Sequence, residues 1–177
     1  MTASAIPLIH ASYRFAPTKD ASLGLSQKNY NTTLGTEKTI YSSNKPDDVH
    51  QILLGFTMPD EAVQNAKYIT KCTLTMPFFE IPQSAPATIW AIRGEGEWDQ
   101  ATVTGAHQPA KVGVEKKFLV DSNEDFQLDV TYMCVDAAQK GADISIFVAS
   151  LDSPYTGTSI EGGRPATLEV GVLFQHN

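Results

Sequence analysis

The chain is short of positive charge. It carries 13 Lys and Arg against 20 Asp and Glu, a net charge of −7 with His neutral, and a pI near 5.0. Nucleic acids and anionic lipid surfaces are held by clustered Lys and Arg. The balance therefore argues against both as partners, and against strongly anionic polysaccharides. Long apolar runs are missing as well. None approaches the ~18 residues of a membrane-spanning helix, so no membrane insertion is expected. The opening MTASAIPLIHASYRF lacks the basic stretch and continuous apolar core of a secretory signal. A mature chain preceded by Met would read the same way.

Catalytic fingerprints are also missing. His10, His50, His107 and His176 are scattered, with no i,i+4 pair and no zinc-type cysteine spacing. No G-x-S-x-G, phosphate-binding loop or dinucleotide fingerprint occurs, so no cofactor is implied. Glu95 and Glu97 flank Gly96 in a turn, where carboxylates are ordinarily solvated rather than tuned for proton transfer. Only two cysteines occur, Cys72 and Cys134. They fit buried thiols in a reducing compartment or one disulfide in an oxidising one. Asn31-Thr32-Thr33 is a glycosylation sequon in a turn-rich segment, compatible with secretion.

What is present is alternation. Apolar residues recur with period two at 51–57 (QILLGFT), 72–79, 87–93, 126–132, 143–149 and 166–174. Weaker strands are expected at 9–15, 21–25, 39–42 and 117–120, and two short helices at 60–65 and 134–139. Turn clusters such as Ser43-Asn44-Lys45-Pro46-Asp47-Asp48 separate them. Many short strands with little helix predict an all-β fold, an antiparallel β-sandwich of jelly-roll type. The length of 177 residues suits one domain, with 1–15 as a leader strand or arm and 16–174 as the sandwich.

The two faces of these strands differ. Ile52, Leu54 and Phe56, with Ile144, Ile146 and Val148, form one face and read as core. The opposite positions hold Leu53, Gly55 and Thr57, then Ser145 and Phe147, with Thr75 and Phe79 in a third strand. A solvated face would carry Lys and Glu. A floor of small residues bearing Leu53, Phe79 and Phe147 reads either as a concave ligand surface or as a face covered by the N-terminal segment or a loop. Trp98, after a Gly-rich turn, suits a loop anchor or a sugar platform. Arg93 is placed to donate to a ligand, or to pair with Glu95 or Glu97.

An ordered set of short motifs runs nearly the whole length. Asp20-Ala21 opens it, and Asn29-Tyr30-Asn31 with Leu34-Gly35 follows. Leu53 to Phe56 resembles L-x-F, and ITKCTL resembles I-x-x-A-x-L. Trp98-Asp99 with Thr102-Val103-Thr104 resembles W-x-E-x-x-V-T-W. Asp129-Val130-Thr131 matches D-V-T, and Ser159-Ile160-Glu161 with Pro165 to Val170 resembles S-R-E … P-x-L-x-V. The chain thus resembles a DNRLRE-type domain, close to carbohydrate-binding module family 96, in a fungal-type single-domain form. Gly105 stands where the pattern has its second Trp, and Ile160 where it has Arg.

The resemblance implies a secreted β-sandwich that binds saccharides, with Cys72 and Cys134 bridged. A bridge of that span stabilises by roughly 4 kcal/mol in the chain-entropy model. It also makes a structural calcium a candidate, held by the loop oxygens of Asp20, Asp152 and Glu161. The expected function is non-catalytic binding of a neutral saccharide, with Leu53, Thr75, Phe79, Arg93, Trp98 and Phe147 as contacts. The alternative is a small-molecule enzyme of natural-product biosynthesis on the same sandwich. It would be a cofactor-free hetero-Diels–Alder cyclase acting on apolar polyketide or terpene substrates, and it rests on association rather than a motif. Such a step needs two reactants held in an attack pose and a donor on a developing oxyanion. Arg93, His50 and Tyr132 are its candidate donors.

Overall fold

Alternation decides which residues meet in this chain. The computed structural model describes residues 7–77, 87–120 and 124–175. Among the described residues twelve strands occur: β1 (Leu8–Phe15), β2 (Lys19–Gly24), β3 (Thr33–Leu34), β4 (Thr39–Lys45), β5 (Asp48–Thr57), β6 (Ile69–Met76), β7 (Ala87–Glu95), β8 (Ala110–Val120), β9 (Phe126–Asp129), β10 (Asp143–Ser150), β11 (Tyr155–Thr158) and β12 (Thr167–Gln175). Two short helices join them, α1 (Asp60–Gln64) and α2 (Thr131–Ala138). One sheet runs β1-β12-β6-β9, and the larger runs β11-β4-β5-β10-β7-β8, with β2 also paired to β5 and to β3. Every pairing is antiparallel. The expected all-β sandwich is what forms.

The main core lies between the sheets. Ile52, Leu54 and Phe56 of β5 and Ile144, Ile146 and Val148 of β10 meet Leu74 and Met76 of β6 and Leu168, Val170 and Val172 of β12. The arm expected at 1–15 is a full edge strand over Leu8–Phe15, in register with β12. Its inward Tyr13 and Phe15 pack on the core.

Two boundaries differ from expectation for local reasons. The strand expected at 126–132 stops at Asp129, and α2 begins at Thr131 instead of 134. The Asp129 carboxylate accepts the Thr131 N–H at 3.1 Å and its hydroxyl at 2.7 Å, which turns the chain. Such side-chain bonds compete with the ladder and favour a turn. β8 spans Ala110–Val120, whereas only 117–120 was expected. It is an edge strand rich in Lys and Glu, with a register shift opposite Ala91–Arg93, and both features blur alternation.

Cys72 of β6 and Cys134 of α2 are disulfide-bonded across 62 residues. The bridge fastens the short helix to the smaller sheet.

Candidate functional site

The outward face of the larger sheet is not a groove. Leu53 and Phe147 are both 0% exposed, in a second core with Ala21, Leu23, Trp90, Ile92, Val103 and Ala149. β2 supplies Ala21 and Leu23, and the segment after β7 supplies Val103 and the packed ring of Trp98. Of the two readings offered for this floor, a ligand surface or a covered face, the covered face is the one formed at Leu53 and Phe147: Ala21 and Leu23 flank Leu53 within the sheet, and the loop carrying Trp98 and Val103 packs over it. Phe79 lies outside the described residues.

The end of that sheet does open into a cleft of about 540 Å³. It is lined by the start of β2 (Lys19), the end of β5 (Gly55 to Thr57) and the end of β7 with its turn (Arg93 to Glu97). Lys140 follows α2 to its edge, and β10 contributes Asp143 to Ser145. The cleft wraps the sheet end, because side chains alternate. Ser145 opposes Gly55 and Gly94 on the face of Leu53 and Phe147, while Arg93 opposes Ile146 on the core face.

Arg93 is the organising group. It is 6% exposed, and its Nε lies 2.7 Å from Asp136 Oδ2 of α2. This is an ion pair by distance, but its direction leaves Nε–H without a hydrogen bond. The terminal nitrogen NH2 donates to Glu95 Oε1 at 3.4 Å, and Lys140 Nζ donates to the same oxygen at 3.0 Å. Lys140 also lies 3.7 Å from Asp136. Hydrogen bonds from Lys140, then Arg93, hold the Glu95 carboxyl below its usual range. The pairing of Arg93 with Glu95 that the sequence offered is present, and Asp136 and Lys140 enlarge it to a network.

Trp98 does not line the cleft itself but packs on the second core behind two residues that do, Ser145 and Lys19. Its indole N–H donates to Ser145 Oγ at 2.9 Å, and Lys19 Nζ sits 4.5 Å above its ring. Lys19 also donates to the Trp98 carbonyl at 2.7 Å. A Cβ on Gly55 would lie 2.7 Å from the Lys19 stem and 3.0 Å from the Trp98 ring, so only glycine lets both rest there. Trp98 thus anchors the loop at the cleft rim.

The remaining candidates are dispersed. Thr75 lies half-buried on the outer face of the smaller sheet, opposite Thr167 and Gln127. Near it a polar recess of about 320 Å³ is lined by His10, Ser12, Lys71, Thr73, Gln127 and Glu169. His50 is buried at the far end of β5, with its ring between Asn29 (3.1 Å) and Asp48 (3.5 Å). Tyr132 is 38% exposed on α2, and its hydroxyl donates to the Val114 carbonyl. Neither His50 nor Tyr132 lines the cleft with Arg93.

Asp20 and Glu161 come close to one another; Asp152 is elsewhere, accepting the Thr88 N–H at 2.8 Å. Asp20 is 1% exposed and accepts the Ile160 N–H at 2.8 Å. Gln100 accepts the Asp20 N–H at 3.1 Å and donates to Glu161 at 2.5 Å. Burial pushes the Asp20 carboxyl up to about 6; the Ile160 N–H opposes that and the Glu161 charge adds to it. Gln100 occupies the Glu position of W-x-E, and Ile160 the Arg position of S-R-E. A carboxylate and a cation are thus both replaced by uncharged side chains beside Asp20. Among the described residues no three His, Cys, Asp or Glu side chains gather at a metal-binding distance.

Sequence reasoning missed Lys19, Asp136 and Lys140, and placed Ser145 on the sheet face without a partner. One signal was available: Asp136 and Lys140 are four apart, the spacing that pairs charges on a helix.

No curated protein matches the chain. The family model for carbohydrate-binding module family 96 matches residues 11–169, from the first strand into the last. The match runs through Asp20, Trp98, Gly105, Ile160 and Glu161, the positions that carry the motif pattern and its departures. The chain belongs to carbohydrate-binding module family 96.

Proposed function

We propose that this carbohydrate-binding module holds a neutral saccharide in the cleft at the end of the larger sheet. The observation that carries the reading is the pinned Arg93, buried at the cleft with Glu95 and Lys140 beside it. Sugar hydroxyls both donate and accept, and fixed charged groups are strong partners for them. Three cations (Lys19, Arg93, Lys140) and three carboxylates (Glu95, Glu97, Asp143) line the cleft, with Asp136 paired behind Arg93 and Lys140, so its cations are matched by carboxylates near at hand. That balance favours an uncharged ligand. The volume suits a few sugar rings, within the roughly 300–1,000 Å³ of small-ligand sites. Preorganised side chains lose little entropy on binding.

A second reading rests on the apolar Phe56 and Ile144 that line the cleft beside Arg93. A buried donor next to an apolar wall also suits the oxyanion of a cofactor-free hetero-Diels–Alder cyclisation. Arg93 would be the donor, and positioning would supply the remaining rate.

A thermal-shift screen separates the two, since only a ligand preferring the folded state raises the melting temperature. Its arms are neutral oligosaccharides, acidic oligosaccharides, and apolar polyketide- or terpene-like compounds, each with and without calcium. A shift with neutral saccharides supports the binding module. A shift confined to apolar compounds replaces it with the cyclase reading, and a shift confined to acidic saccharides overturns the claim of a neutral ligand.

A further inference from the structure

Asn31-Thr32-Thr33 is the one N-x-S/T stretch in the sequence, with Thr rather than Pro in the middle. All three residues are exposed, in the connection from β2 to β3. The turn is closed by the Thr32 N–H donating to the Asn29 carbonyl at 3.0 Å. Thr33 opens β3, opposite Leu23. Neither the Asn31 carboxamide nor the Thr33 hydroxyl makes a side-chain hydrogen bond among the described residues, so both are free to enter a transferase site. Tyr30, 43% exposed, places an aromatic residue beside the acceptor. Independently of the sequon, the Cys72–Cys134 bridge suits an oxidising lumen, the compartment in which N-glycans are added.

We propose that Asn31 is an N-glycosylation site. In the transfer, the Asn31 amide nitrogen forms a bond to the anomeric carbon of a lipid-pyrophosphate-linked oligosaccharide. The anomeric carbon–phosphate oxygen bond breaks, the lipid pyrophosphate leaves, and the displaced amide proton passes to a base of the transferase. The position spares the cleft. Lys19 at the cleft opposes Gly55, whereas Gly24, before the turn, opposes His50. Those two ends of β2 are roughly 17 Å apart along the strand. The glycan would then project from the end of the sheet away from the cleft and leave its mouth open.

The test is secretion of the full chain from a eukaryotic cell, followed by intact mass and peptide mapping with and without an N-glycan-releasing amidase. The expected result is a heavier species whose added mass is a ladder of hexoses on two N-acetylhexosamines. The amidase removes that mass and leaves Asp in place of Asn31. Asn31→Gln and Thr33→Ala each abolish the addition, whereas Thr33→Ser, which keeps the hydroxyl, retains it. A secreted, disulfide-bonded chain of unmodified mass overturns the proposal. So does a glycan that survives Thr33→Ala or maps to another residue. Since Thr33 is exposed, Thr33→Ala keeps the test decisive should Asn31→Gln fail to be secreted.

Discussion

At position 105 the backbone leaves no room for a side chain. A Cβ there would lie 2.0 Å from the Gly24 carbonyl oxygen and 3.0 Å from the Tyr30 ring. The family pattern's second Trp is thus replaced by a close approach of two loops, and the Ala106 N–H to Tyr30 carbonyl bond at 3.0 Å locks it. Gly105→Ala is predicted to destabilise by about 1–3 kcal/mol through overpacking, measured as a lowered denaturant midpoint at unchanged slope. An unchanged midpoint would show that the loops separate freely. Asp20 gives a second prediction at this scale. Its folded pKa, about 6, exceeds the reference value of 3.8, so the folded state binds more protons between the two. The contribution is fully present below about pH 4 and is lost as pH rises through about 6. Stability is therefore predicted to fall over that window. Asp20→Asn, which still accepts the Ile160 N–H, should flatten the fall. Urea midpoints from pH 4 to 7 check this, and equal slopes in both proteins would sink it.

Among the elements, α2 matters most to the cleft. It is eight residues long, and its N-cap, Val130, offers no side-chain bond. So short a helix is marginal alone and depends on packing and tethering. Met133, Cys134, Ala137 and Ala138 are buried beneath it, and the disulfide ties it to β6. Asp136 rides on the helix and Lys140 follows it, so the Arg93 network inherits its position. Cys72→Ser with Cys134→Ser is predicted to cost about 4 kcal/mol by the chain-entropy argument and to weaken saccharide binding as well. Chemical denaturation and titration of the double variant measure the two effects. Full affinity without the bridge would show that the helix needs no tether. Elements also differ in how far they could be read. β5 and β10 were legible because strict alternation on a buried sheet leaves no other register for Ile52-Leu54-Phe56 or Ile144-Ile146-Val148. β8 was not, because an edge strand with Lys111, Glu115, Lys116 and Lys117 faces solvent and carries little periodic signal.

For the molecule as a whole, the larger sheet is covered on both faces. The sandwich core fills one, and the cluster around Leu53, Phe147 and Trp90 fills the other. The lack of charge at Leu53, Ser145 and Phe147 was a true sign that solvent is excluded. It did not say whether a ligand or the chain itself excludes it, and the answer lay in Trp98 and Val103, on a loop without periodic pattern. With both faces closed, the cleft lies at the sheet end, where Arg93, Glu95 and Glu97 come from one strand and its turn. Asp136, Lys140 and Lys19 reach the same place only through the fold.

The central claim is that this end cleft binds a neutral saccharide through the Arg93 network. Calorimetric titration of neutral oligosaccharides into the native chain and into Arg93→Lys, with melting temperatures recorded for both, tests it directly. Lys keeps the charge but loses the planar fork that engages Asp136 and Glu95. The account predicts saturable binding by the native chain and an affinity at least about tenfold weaker in a folded Arg93→Lys, the loss of a charged hydrogen bond. Equal affinity in the two proteins, or no neutral saccharide bound by the native chain, would contradict it.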